Sequence, residues 1–122
     1  MIRFLICSGA LAAAAAVAAG AFGAHGLQER LSPRSLELWE TASRYLIYGG
    51  LGTVLAGLAA LRVQGRAVPW AAAVLLAGAV VFSGTVFALA LGGPRWLGAI
   101  TPLGGTLMIL GFLLLAWGAL RL

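Results

Sequence analysis

The chain predicts an all-α fold, an integral membrane four-helix bundle, and three observations carry that prediction. Of 122 residues, 62% are hydrophobic and 9% charged, whereas soluble domains hold about 45–50% and about 25%. The apolar residues gather in four runs, each 17 residues or longer. Eight Arg and three Glu, with no Lys or Asp, stand near the ends of those runs. Four spans of about 20 residues consume roughly 80 positions, so residues 1–122 form a single four-span domain with no room for a separate soluble catalytic unit. The net charge of +5 is dispersed, which reads as a topology signal. The lipid bilayer is therefore the expected partner, and nucleic acid is not.

The first run, Phe4 to Ala24, follows Arg3 and has 21 residues without a charge, enough to cross a hydrocarbon core of about 30 Å. A cleaved signal peptide is the competing reading, because Ala16 to Ala19 offers small-residue cleavage sites. The run continues past them, and cleavage would leave an odd number of spans, so it is read as span one. Only Phe4-Leu5-Ile6 precedes Cys7 in that run, too little for a lipoprotein signal; Cys7 is expected to be a small buried residue.

The polar stretch from His25 to Arg44 holds all three acids. Ser32-Pro33 predicts a helix starting at Pro33, with the serine as N-cap and proline at the first position, where an amide would be orphaned anyway. Nothing interrupts it before Leu61. Its first third lies at the interface, and residues 45–61 form span two, with Tyr45 and Tyr48 at the headgroup level. Arg62 to Pro69 is a hydrophilic turn. Span three runs over 70–91 and stops at Gly92-Gly93-Pro94. In the last run Thr101-Pro102 repeats the Ser-Pro grammar, which predicts span four over 102–121 and leaves Arg95 to Ile100 as a non-helical segment dipping toward the membrane, anchored by Trp96.

Helix contacts in lipid are marked by small residues that permit close backbone approach. Gly49, Thr53 and Gly57 recur at i+4, while Ala71, Gly78, Thr85 and Gly92, and Gly104, Gly111 and Gly118, recur at seven, the spacing of a left-handed seam. Span one is small nearly all round and is expected to lie most centrally.

The polar residues collect on the face shared by the turns after spans one and three. Glu37, Glu40, Thr41, Arg44 and Tyr48 form one stripe at i+3 and i+4 spacing. Glu40 and Arg44 are the natural pair, structural rather than catalytic, because an unpaired charge at the edge of hydrocarbon is costly; loss of either is expected to cost roughly 1–3 kcal/mol. His25, leaving span one beside Gly26, is expected to hydrogen-bond the turn at 98–105, where Thr101 and Pro102 open span four. One His and one distant Cys cannot furnish a zinc site, and the glycines of Gly20-Ala21-Phe22-Gly23-Ala24-His25-Gly26 follow an apolar span rather than a strand, so they are no dinucleotide turn. No metal or cofactor is expected. His25, Glu40, Arg44, Thr101 and Pro102 are the candidate structural or partner-contact residues.

The stretches Gly20-Ala21-Phe22-Gly23-Ala24-His25-Gly26-Leu27, Trp39-Glu40-Thr41-Ala42 with Arg44-Tyr45, Phe82-Ser83-Gly84-Thr85, and Leu97-Gly98-Ala99-Ile100-Thr101-Pro102-Leu103-Gly104-Gly105 closely resemble the domain of unknown function 423 family, the YgdD- and YwdK-like proteins. The resemblance spans nearly the whole chain in order. It implies a small four-span inner-membrane protein without an established activity. This chain carries Trp39 where that family often has phenylalanine, and Gly49-Gly50 where members often have His-Ala.

The functional expectation is a non-catalytic accessory or assembly subunit that contacts other membrane protein subunits. A small transporter or proton-coupled exporter is the alternative. Four-span exporters need an acid in mid-span, whereas the acids here fall between Glu29 and Glu40; an enzyme using His25 and Glu40 rests only on their shared face. The Arg count is tied between the two sides, but Glu40 holds Arg44 and the amino terminus adds a charge, which puts both termini in the cytoplasm.

Overall fold

The computed structural model describes residues 1–122 as four helices: α1 Ile2–His25, α2 Pro33–Ala60, α3 Ala67–Ala90 and α4 Leu97–Ala119. Successive helices run antiparallel through short turns. Each packs chiefly on its chain neighbours, so the order across the molecule is α1, α2, α3, α4. No Cα of α1 comes within 8 Å of one in α4, and the bundle is therefore open. This corrects the expectation that the first helix is central: α2 and α3 hold the middle. Small residues on every side of α1 do not single out a face, and it buries only Leu5, Gly9, Ala16 and Gly23, three of them seven apart. Cys7, expected to be buried, is exposed on another side of that helix.

The helix boundaries follow local chemistry. Ser32 caps α2 as its sequence requires, its hydroxyl accepting from the Ser35 amide at 3.1 Å with Pro33 at the first position. At the end of α3, Gly92 adopts φ +93°, and the amides of Gly92 and Gly93 reach back to the carbonyls of Leu89 and Ala88. That double return is a Schellman stop, which favours glycine at the left-handed position. Two starts differ from expectation. α3 begins at Ala67, with Pro69 inside the first turn, where its missing amide has no helical acceptor to serve. α4 begins at Leu97, five residues before Pro102, so the non-helical Arg95–Ile100 segment and the Thr101-Pro102 cap are corrected. The amides of Leu97, Gly98 and Ala99 bond to the carbonyls of Pro94, Arg95 and Trp96 at 3.0–3.2 Å, tightening the chain into a helix before the proline arrives. Pro102 removes one donor, that due to Gly98, an exposed residue of the first turn.

Packing is inside out relative to a soluble bundle. Only 28 of 122 residues are buried, and the core is dominated by alanine and glycine; the largest fully buried side chains are Leu75, Val68, Thr53 and Ser83. Phe4, Leu11, Leu55, Val80, Leu103 and Leu113 are exposed instead. Apolar surface turned outward on this scale calls for an apolar surrounding, and α1, α3 and α4 are each long and apolar enough to cross a membrane.

Glycine decides how closely the helices approach. On the α3–α4 seam, Phe82, Leu75 and Val68 lie over Gly104, Gly111 and Gly118; a Cβ on Gly111 would fall 2.7 Å from Leu75 Cγ, and one on Gly118 would fall 2.5 Å from Val68 Cγ2. Both series step by seven, but on α3 the residues over these glycines are not the expected Ala71, Gly78, Thr85 and Gly92. Gly78 meets the Gly104 carbonyl and Met108, Thr85 meets Thr101, and Gly92 lies past the helix end with nothing within 4 Å of where its Cβ would be. The α2 row divides between two neighbours: Gly49 faces Ala79 of α3, whereas Gly57 faces Ile6 of α1. Adjacent Gly50 meets α1 backbone, where its Cβ would be 2.8 Å from the Gly9 carbonyl. Thr53, fully buried between these contacts, donates to the Gly49 carbonyl at 2.7 Å and so brings no unpaired polar group into the core.

Candidate functional site at the α1–α2 and α3–α4 turns

One end of the molecule carries the turns at residues 26–32 and 91–96, together with every acid in the chain. Chain direction sets this composition: α1 and α3 end here, while α2 and α4 begin here.

The first four turns of α2 organise the layer. Trp39 points from α2 toward α1, and its indole Nε1 donates to the Ala19 carbonyl at 2.7 Å. The bond needs Gly23, because a Cβ there would sit 2.5 Å from Trp39 Cδ1. The indole also meets Phe22 edge-on at 6.3 Å and Phe87 of α3 at 4.7 Å. One side chain thus ties α1, α2 and α3 together through a hydrogen bond and two aromatic edges. Ser43, one turn below, donates to the Trp39 carbonyl at 3.0 Å.

Glu40 and Arg44 form the expected pair, with Arg44 donating to Glu40 Oε1 at 2.9 Å. Their side chains are 72% and 50% exposed, a surface geometry in which such pairs contribute little. Arg34 and Glu37 make a second contact at 3.6 Å. Together with Thr41 these residues frame a polar depression of about 300 Å³. A second hollow of about 330 Å³ lies where α1 leaves α2, lined by Gly20, Gly23, Gln28, Leu36, Trp39 and Glu40.

Across the layer, Thr101 of α4 meets Thr85 of α3, hydroxyl to hydroxyl at 2.6 Å. Thr101 also lies within bonding distance of the Leu97 carbonyl, and Thr85 of those of Val81 and Phe82. One hydroxyl can donate to the other while the second proton goes to a carbonyl of its own helix, so both are satisfied where α3 and α4 diverge.

The candidate residues therefore separate. Glu40 joins Arg44, and Thr101 joins Thr85. Pro102 is exposed inside α4. His25 is exposed at the end of α1, and with α1 and α4 apart it does not reach residues 98–105; the expected contact is corrected. The buried side chain that closes the turn after α1 is Leu27. Nowhere do three His, Cys, Asp or Glu side chains gather in a manner able to hold a metal ion. Trp39 was legible in the sequence only as an interfacial aromatic. Gly23 was the available signal for its packing, since an unexplained glycine in a helix marks a close approach.

Comparison with known proteins finds relatives named as membrane proteins. A membrane protein of Staphylococcus epidermidis, named UPF0382 membrane protein, is 45% identical over 98% of this chain and 98% of its own length. Namesakes from Staphylococcus saprophyticus subsp. saprophyticus and Staphylococcus haemolyticus are 43% identical, over 99% of this chain and 100% of the relative, and 44% identical, over 93% of each. No solved structure matches. The family pattern described as Protein of unknown function (DUF423) matches residues 19–105, covering the Trp39 layer, both ion pairs and the Thr85–Thr101 contact. The chain is a membrane protein and belongs to the DUF423 family.

Proposed function

We propose that the protein is a four-span, multi-pass component of the bacterial inner membrane that acts as a non-catalytic accessory or assembly subunit beside other membrane proteins. The observation that carries this reading is the placement of ionised groups. Arg and Glu side chains occupy the two ends of the bundle, while Thr53 and Thr85 in the spans bond to carbonyls of their own helices. A proton-coupled exporter needs an acid within the bilayer, and the three acids of this chain fall between Glu29 and Glu40, outside the apolar runs. Four spans rather than three are supported by α2 itself: it is sandwiched between α1 and α3, and its 28 residues extend about 42 Å, so it shares their depth. Interhelix surfaces built on glycine suit association through backbone approach.

Native mass spectrometry of protein extracted in mild detergent tests the reading. A membrane-protein partner in fixed stoichiometry, retained when the protein is diluted, is the expected result. Isolation as a free protomer that dissipates a proton gradient in proteoliposomes would overturn it in favour of transport.

A further inference from the structure

Below the polar depression on α2 lies an apolar groove of about 390 Å³ between α2 and α4, floored by α3. Tyr45, Tyr48, Phe82, Gly105, Met108 and Phe112 line it. Its size falls within the roughly 300–1,000 Å³ of small-molecule sites. Thr41 borders both the groove and the polar depression above it, so the two adjoin at that residue. Tyr45 packs on Tyr48 at 5.4 Å and on Phe82 at 5.0 Å, which gives the junction an aromatic wall at the depth where Tyr rings prefer the headgroup boundary.

The order of chemistry along this stripe is specific. Outward from the hydrocarbon come the aromatic groove, Arg44 with Thr41, and then Glu40, Glu37 and Arg34. Two Arg and two Glu sum to zero, so the site has no net attraction for an anion, yet its charges are ordered. Arg44, bonded to Glu40 at 2.9 Å, and the Thr41 hydroxyl are donors beside the groove, and the Glu37 carboxylate follows one turn farther out than Thr41. A phospholipid presents the complementary order: acyl chain, phosphate, then amine.

We propose that this face holds one zwitterionic phospholipid with a primary amine, a phosphoethanolamine headgroup. Its acyl chain lies in the groove, its phosphate oxygens accept from Arg44 and Thr41, and its ammonium donates to Glu40 and Glu37. An anionic headgroup meets those carboxylates unfavourably. A quaternary amine has no N–H to give them. The site rests on α2 crossing the membrane with Tyr45 at the boundary, but not on the accessory-subunit reading.

The test is lipid retention by native mass spectrometry, with the detergent-solubilised full chain offered phosphatidylethanolamine, phosphatidylcholine and phosphatidylglycerol of identical chains. Retention of one phosphatidylethanolamine in preference to the others, by about three- to tenfold, is expected. Glu37→Gln combined with Glu40→Gln should reverse the order in favour of phosphatidylglycerol. Gly105→Leu should abolish retention of all three; a Cβ at Gly105 lies at an ordinary 3.5 Å from Phe82, so the added side chain fills the groove without displacing backbone, and an unchanged melting temperature verifies the fold. Equal retention of the three lipids, a wild-type preference for phosphatidylglycerol, or full retention by Gly105→Leu would overturn the proposal. Thiol labelling of Thr41→Cys and Leu51→Cys in a Cys7→Ala background reports the depth of α2 separately. Boundary labelling at 41 and protection at 51, combined with failed lipid preference, removes the lipid site and leaves the four-span reading intact.

Discussion

Trp39 shows how much one side chain can contribute when lipid offers helices no hydrophobic reason to associate. Its indole spans three helices, and its N–H meets the Ala19 carbonyl at 2.7 Å. Trp39→Phe keeps the aromatic edges but loses the donor, and should cost about 1–2 kcal/mol; Trp39→Ala also opens a cavity and should cost about 3–5 kcal/mol. Reversible unfolding in mixed micelles distinguishes the two: no loss in Trp39→Phe would show that the hydrogen bond contributes nothing, and equal losses that the ring packing adds nothing to it. The Glu40–Arg44 pair is different. Its geometry is good, but both side chains are at least half exposed, so the 1–3 kcal/mol expected from sequence falls to below about 1 kcal/mol. A double-mutant cycle of Glu40→Gln and Arg44→Gln should return a coupling in that lower range. The sequence located this pair because i+4 spacing on a helix is local information. It could not place His25, whose partner depended on which helices meet.

Between helices, the distinction that matters is which glycines are pressed against a neighbour. Gly111 and Gly118 face Leu75 and Val68 at distances no Cβ tolerates, whereas Gly84 and Gly98 have open space around them. Gly111→Ala should destabilise the α3–α4 pair by about 1–3 kcal/mol through overpacking. Gly84→Ala should instead stabilise the protein by up to about 1 kcal/mol, because it lowers backbone entropy in the unfolded chain and meets no obstacle. Thermal unfolding of both variants in one detergent reads the two signs, and destabilisation by Gly84→Ala would contradict the open space assigned to it. The glycine series on α4 announced its side of this seam in the sequence, whereas the α3 residues that cover those glycines, Val68, Leu75 and Phe82, are not in the expected small-residue series. The row on α2 did not announce its division between α1 and α3, because spacing defines a stripe without naming the neighbour it meets.

For the whole molecule, an open order of four helices leaves α1 and α4 with broad outward faces, matched to lipid by Leu11, Val17, Leu110 and Leu113. Antiparallel succession puts the termini and the Arg62–Arg66 turn at one end, and the Trp39 layer at the other. With cytoplasmic termini, single cysteines at Gln64 and Gln28, each in a Cys7→Ala background, should label from opposite sides: Gln28 in intact spheroplasts and Gln64 only after permeabilisation. The reverse pattern would invert the orientation, and labelling of both from one side would rule out four spans.

Composition and periodicity by themselves determined the all-α membrane architecture, the Ser32-Pro33 start, the glycine stop after α3 and the Glu40–Arg44 pair. These follow from chain-local physics: transfer of apolar runs into hydrocarbon, orphan amides at a helix start, a left-handed residue at a helix end, and the 3.6-residue turn. Tertiary structure alone decided that α1 is peripheral, that Trp39 reaches Ala19, that Thr101 bonds Thr85, and that α4 starts before Pro102. The first three depend on which surfaces meet across the bundle. The fourth depends on a competition between two legitimate positions for one proline. An all-round stripe of small residues is compatible with many packings, and only the mutual fit of four helices selects one.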